Sequence, residues 1–321
     1  MRYCRFTITT LVLLISAAGT QAQTPDAARR YFQEGVRNLS EGNLAVAFEN
    51  YSRAIEISSR LDSRKKSDLP AGNSLDSADT ADRVTVVNPF TAVAYTNRGI
   101  VRNRQNDMDG AIADFNAAIR ISPRLAEAYL GRGISYKSKG ELDKASADFD
   151  RAINLKSSLA EAYIDRAELR MDRRDFPGAE KDVDTALKLN PRLAEAHYLM
   201  GHLYLQENEN EQAMAAFQRA VELKPQLAQA HHGLGTVRMK LAHFDEAVEE
   251  FNRALELDPT MAPTYMNRGL ALLMKNQDAE AQKDFDECLA LRPDLKGELE
   301  KRIQLAKELR VGKQPGGVSH L

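Results

Sequence analysis

The chain has 321 residues, with 44 basic against 46 acidic side chains. So even a balance argues against a nucleic-acid binder, which needs a basic stripe to displace phosphate counterions. With 43% hydrophobic residues the composition supports an ordinary packed core, either in two domains or in one long repeat array.

At the start, Arg2 and Arg5 precede an uncharged, mostly apolar run from Phe6 to Ala18, and Thr20-Gln21-Ala22 follows. A basic start, a short apolar run and a small-residue site form the layout of a secretory signal peptide. Residues 1–22 are therefore expected to be removed, leaving an exported protein, periplasmic or secreted; the alternative is an uncleaved anchor. The apolar run has 13 residues, short of the roughly 20 that cross a bilayer as a helix, and no second run of spanning length follows. Cys4 precedes the apolar run and is misplaced for lipid attachment at the cleavage site. The remaining chain carries 42 basic and 46 acidic residues, net −4, and one cysteine, Cys288, so no internal disulfide can form.

Next comes a unit at residues 28–61, marked by Gly35, Ala47, Tyr51 and Ala54. Residues 62–91 interrupt the pattern. Arg64-Lys65-Lys66, Pro70-Ala71-Gly72-Asn73 and a Ser/Asp-rich stretch predict a flexible insertion, with Val84, Val86, Val87 and Phe90 placed to dock its end. From 92 to 295 the pattern returns unbroken. Small residues stand 34 apart at Gly99, Gly133, Ala167, Gly201, Gly235 and Gly269. Twelve residues after each is alanine, from Ala111 to Ala281; four further on stand Phe115, Phe149, Val183, Phe217, Phe251 and Phe285. Another small residue follows, from Ala118 to Cys288, and proline ends most units, at Pro123, Pro191, Pro225, Pro259 and Pro293.

This pattern resembles the tetratricopeptide repeat, a 34-residue helix–turn–helix. The resemblance implies an all-α fold, a right-handed α-solenoid of about seven hairpins. One departure is consistent: there is no tryptophan, and the first-helix aromatic slot holds Tyr95, Tyr129, Tyr163, His197, His231 and Tyr265. The physical reading of each slot is simple. Glycine and alanine let two helices approach, phenylalanine fills the space between them, and proline, lacking an N–H, stops the helix. A lone hairpin cannot bury its apolar face, so neighbours must stack. Residues 296–310 are predicted to form a charged capping helix, with Leu299, Ile303, Leu305 and Leu309 near helical spacing, and residues 311–321 a loose tail.

Arginine precedes the small residue in four units, at Arg98, Arg132, Arg166 and Arg268; sixteen residues on stand Asp114, Asp148, Asp182 and Asp284. Units without the arginine (Glu34, Met200, Leu234) also lack the aspartate (Asn50, Ala216, Glu250). Joint appearance predicts an ion pair between the two helices of one hairpin, since the guanidinium fork matches a carboxylate.

The resemblance implies that first helices line a concave, partner-binding groove. Its expected exposed stripe comprises Ile100, Leu130, Ile134, Ile164, Glu168, Met171, Tyr198, His202, Leu205, His232, Met239 and Met266. The competing expectation is that many of these only pack on the next first helix. The face lacks the Lys/Asn/Arg set with which chaperone-binding members grip acidic C-terminal tails. His202 and His232 are expected to face one another across the groove with Glu168 as a candidate third group, short of the three or four convergent ligands a metal needs, so no metal or other cofactor is expected. His197 and His231 sit in packing slots, and Cys288 in an alanine slot, read as a buried small hydrophobe. No phosphate loop, HExxH or GxSxG motif occurs, and no segment is left for a catalytic domain. The expected function is a non-enzymatic scaffold that binds a protein or peptide. The alternatives are a metal- or small-ligand-binding protein or enzyme using the histidine-bearing groove, and a luminal co-chaperone of a secretory pathway.

Overall fold

The computed structural model describes residues 26–67 and 89–312. The described residues are helical with no strand, and their contacts divide at Arg174 into two units. Unit 1 holds α1 (Asp26–Ser40), α2 (Leu44–Ser67), α3 (Pro89–Arg104), α4 (Met108–Ile121), α5 (Ala126–Ser138), α6 (Leu142–Leu155) and α7 (Ala160–Asp172). Unit 2 holds α8 (Phe176–Leu189), α9 (Ala194–Gln206), α10 (Asn210–Leu223), α11 (Ala228–Lys240), α12 (Phe244–Leu257), α13 (Ala262–Met274) and α14 (Asp278–Leu291), then a short 3-10 turn (Pro293–Leu295) and α15 (Lys296–Gly312).

In each unit successive helices pair as antiparallel hairpins, and the small residues set how close they come. A Cβ on Gly99 of α3 would lie 2.9 Å from the Phe115 ring of α4, and one on Gly235 of α11 would lie 2.7 Å from Phe251 of α12. Bare backbone is what lets a fully buried phenylalanine sit against the first helix. Where the phenylalanine is absent, at Val183, the glycine is absent too, as Ala167; both are fully buried. The turns between paired helices need one residue with positive φ. Gly42, Asn106, Gly140, Asn208 and Asn276 supply it, and these residue types tolerate it. Arg174 and Ala242 adopt it at φ 62° and 60° against their preference. Asp107 caps α4 by accepting from Gly110 N at 2.9 Å.

The ends differ from expectation in detail. α2 runs on to Ser67, so its last turns lie inside the stretch expected as an insertion. At the other edge, Phe90 is buried against Phe32, ring centroids 5.3 Å apart, and Thr91 shares a 2.5 Å hydrogen bond with Ser58. Residues 89–91 therefore belong to the first helix of the second hairpin and not to a loop. Val84, Val86 and Val87 lie outside the described residues, as do the expected leader at 1–22 and the last nine tail residues, 313–321. α15 starts at Lys296 and packs on α13 through buried Leu299 and Ala306, with Arg310 donating to Leu273 O (3.1 Å) and to Asp278. Leu305 is exposed, because it faces away from α13.

Candidate functional site

Arg98, Arg132 and Arg268 each hold their aspartate by two bonds. Arg98 Nε and Nη2 lie 2.9 and 2.6 Å from Asp114, Arg132 2.8 and 2.7 Å from Asp148, and Arg268 2.8 and 2.5 Å from Asp284. The carboxylates are buried, and the bond to Asp148 or Asp284 holds its arginine above the usual guanidinium range. Arg166 of unit 1 donates to Asp150 at 2.6 Å, and Asp182 is buried in α8 of unit 2. Each Nη1 reaches back to the preceding second helix: Arg98 to Ser52, Arg132 to Asn116, Arg166 to Asp150 and Arg268 to Asn252. The arginine is thus a staple between hairpins as well as within one.

The same side chains stack on tyrosine three residues earlier: Arg98 on Tyr95, Arg132 on Tyr129, Arg166 on Tyr163 and Arg268 on Tyr265, at 5.3 to 5.6 Å. In the aromatic slot, Tyr129 OH donates to Pro123 O at 3.2 Å, while His197 and His231 place Nε2 3.0 Å from Pro191 O and Pro225 O. Tyrosine and histidine share the property this slot uses, a ring carrying a polar hydrogen. Where α11 lacks the arginine, Glu250 is still paired: His231 Nδ1 lies 2.6 Å away and Arg238 Nη1 3.1 Å.

The expected groove stripe requires correction. Ile100, Leu130, Ile134, Ile164, Glu168, Tyr198 and Met266 are all buried, between 1% and 7% exposed. Within each unit the first helices nest directly on one another. In unit 1, Ser135 donates to Asn103 Oδ1 at 2.8 Å, joining α3 and α5, and Lys137 pairs with Glu168 between α5 and α7. In unit 2, His232 Nδ1 lies 2.9 Å from Thr264 Oγ1 and Asn267 donates to Thr236 Oγ1 at 3.3 Å, joining α11 and α13. Met171, His202, Leu205, His232 and Met239 remain half-buried.

The rings of His202 and His232 are nonetheless held low, to about 4 each: burial disfavours their charged forms, and at His202 a charge on His232 adds a smaller push. His202 is wedged against Tyr198 and Phe217, centroids 4.7 and 5.2 Å away. Among the described residues no three His, Cys, Asp or Glu side chains converge as a metal would need, and no helix is long and apolar enough to cross a membrane. Cys288 is fully buried, and burial pushes its thiol up.

Stacked hairpins closed by a glycine–aromatic contact and separated by short turns define the class of helical repeat proteins. In the segments that family models match, the repeats are tetratricopeptide repeats. Models described as TPR repeat match residues 99–140 and 201–241, and models of the tetratricopeptide repeat match 228–261, 126–159 and 262–295. Among solved structures, a tetratricopeptide repeat protein from Parabacteroides merdae is 17% identical, covering 88% of this chain and 100% of that one, with TM-score 0.56. The APC/C heterotetramer Cut9-Hcn1 is 19% identical over 81% of this chain and 55% of that chain, with TM-score 0.61. YrrB, described as a TPR protein with an unusual peptide-binding site, is 25% identical over 60% of this chain and 97% of its own, with TM-score 0.44. No curated protein sequence matches. The first two likenesses establish the fold alone.

Proposed function

We propose that the chain is an exported protein–protein interaction scaffold, not an enzyme, which holds a peptide or helix of a partner against its first helices in the periplasm. One observation carries this reading. On successive first helices of unit 2, α9 and α11, the side chains of Leu205 and Met239 stay partly open to solvent beside the half-buried rings of His202 and His232. Methionine adapts its shape to varied apolar partners. Export rests on the layout of residues 1–22, and N-terminal sequencing of the secreted or periplasmic protein is expected to read from Gln23.

The test is affinity capture from the exported compartment with wild type and with the Leu205→Glu/Met239→Glu variant. A bound protein that the wild type retains and the variant loses, at unchanged helical signal, supports the reading. Equal retention by both places the interface elsewhere.

A further inference from the structure

A second surface lies in unit 1, on the opposite side of α5 from the nested first-helix face. Tyr129, Arg132 and Tyr136 occupy one stripe of α5, three and four residues apart. Arg132 lies 5.4 Å from the Tyr129 ring centroid and 5.9 Å from that of Tyr136. From α6, Arg151 lies 5.8 Å over Tyr129 and Lys144 5.3 Å over Tyr136. Cation and ring therefore alternate through five side chains along the face of α5 that lies between α4 and α6, with Asn116 of α4 bonded to Arg132 at 2.6 Å.

The cations are not equally neutralised. Asp148 takes Arg132, and Glu141 takes Lys144 at 2.5 Å. Arg151 is exposed and has no carboxylate partner among the described residues. This is no requirement of its position in the repeat. The equivalent arginines are paired on their own helices: Arg53 with Glu49, Arg219 with Glu222 and Arg253 with Glu256. At α6 the corresponding neighbours are Ala147 and Asn154. Two more exposed arginines without a carboxylate partner among the described residues flank the same face. Arg120 lies one turn beyond Asn116, and Arg124 follows Pro123, whose carbonyl receives the Tyr129 hydroxyl. The wider charge agrees: residues 89–174 carry 15 basic and 12 acidic side chains, whereas residues 175–312 carry 17 and 24.

We propose that this face of α5, between α4 and α6, docks an acidic segment of a protein partner, its carboxylates on Arg120, Arg124 and Arg151 and its aliphatic portions on the Tyr129 ring. Arginine gives bidentate bonds to carboxylate, and the aromatic wall supplies apolar area beside them. A peptide suits the site better than a nucleic acid, because three arginines are a short footprint in a chain of near-neutral charge.

The test uses the full chain and fluorescence anisotropy at low salt. The probes are a short fluorescein-labelled peptide of alternating Glu and Ala, the same peptide with Gln replacing Glu, and a labelled single-stranded oligonucleotide. The Glu peptide is expected to bind and the Gln peptide not to. Arg120→Glu/Arg124→Glu/Arg151→Glu is expected to weaken binding by about tenfold or more, and Tyr129→Leu about threefold. All three arginines are exposed, so the triple variant keeps its fold, which far-UV circular dichroism checks. Failure of the Glu peptide to bind wild type overturns the proposal, as does equal binding by a folded triple variant. Tighter binding of the oligonucleotide, lost in that variant, also overturns it and assigns this face to nucleic acid. None of these outcomes depends on Leu205 or Met239.

Discussion

Removing the carboxylate of Asp148 should reveal how much the arginine staple contributes, and the chain holds its own control. Asp148 is 6% exposed and takes two bonds from Arg132, whose side chain is 20% exposed. Breaking a fully buried pair costs about 3–5 kcal/mol, chiefly through the charge left behind. Here Arg132 keeps Asn116, two tyrosine rings and some solvent, so Asp148→Ala should cost about 2–3 kcal/mol. The hairpin of α9 and α10 uses buried Met200 and Ala216 at the same two positions. Copying that solution, Arg132→Met/Asp148→Ala, removes the stranded charge and should recover all but about 1 kcal/mol, the residue being lost stacking on tyrosine. Urea titrations of the three proteins by circular dichroism give the comparison; hydrogen exchange of α5 and α6 gives it locally, since repeat arrays can open unit by unit. A double variant no more stable than Asp148→Ala would refute the stranded-charge argument. So would a single variant within about 0.5 kcal/mol of wild type.

Three further outcomes follow from the geometry. His202 and His232 are held near 4 in the folded chain against about 6.5 when unfolded, so the unfolded state binds more protons between those values. Stability is then fully present above about pH 6.5 and falls as pH drops towards 4, by on the order of 2–3 kcal/mol per ring; a His202→Leu/His232→Leu variant whose urea midpoint has the same pH dependence as wild type would remove these rings as the cause. Ala242→Gly relieves the left-handed turn between α11 and α12 and should raise stability by about 0.5–1 kcal/mol in thermal unfolding, with a fall counting against strain there. Gly99→Ala pushes a methyl into the Phe115 ring and should cost about 1–3 kcal/mol, whereas Gly297→Ala, which meets nothing within 4 Å, should cost nothing measurable; similar effects at both sites would contradict the close-approach account.

The hairpins were legible because the signal is redundant. A glycine, an alanine and a phenylalanine at fixed spacing each impose the same close contact, and where the sequence has Val183 for phenylalanine it also has Ala167 for glycine. Pairs such as Arg132 and Asp148 were legible for a similar reason, since both members vanish together. The backward bond from Arg132 to Asn116 was hidden, because Asn, Asp and Ser all serve as that acceptor and leave no single-residue mark. Glu250 was hidden differently. It looked like a missing aspartate, but its cation had moved one turn along the first helix, to Arg238.

The exposure expected of the stripe fails at Ile100, Leu130, Ile134, Ile164, Glu168, Tyr198 and Met266 because periodicity gives the face of a helix and not its distance from the next helix. Small residues on the facing helix, such as Gly131, bring the backbones close enough for Asn103 to reach the Gly131 carbonyl at 3.4 Å, and that nesting closes the stripe. The end of α2 was missed for want of a stop signal: no proline or glycine lies between Ile57 and Ser67.

Hydroxyl-radical footprinting of the full chain, alone and with the protein it captures from the exported compartment, tests the scaffold claim most directly. The account predicts that modification of Met239 and Leu205 falls when the partner is present, while Cys288, buried in both states, stays unmodified. Unchanged modification of Met239 and Leu205 with the partner bound would contradict it.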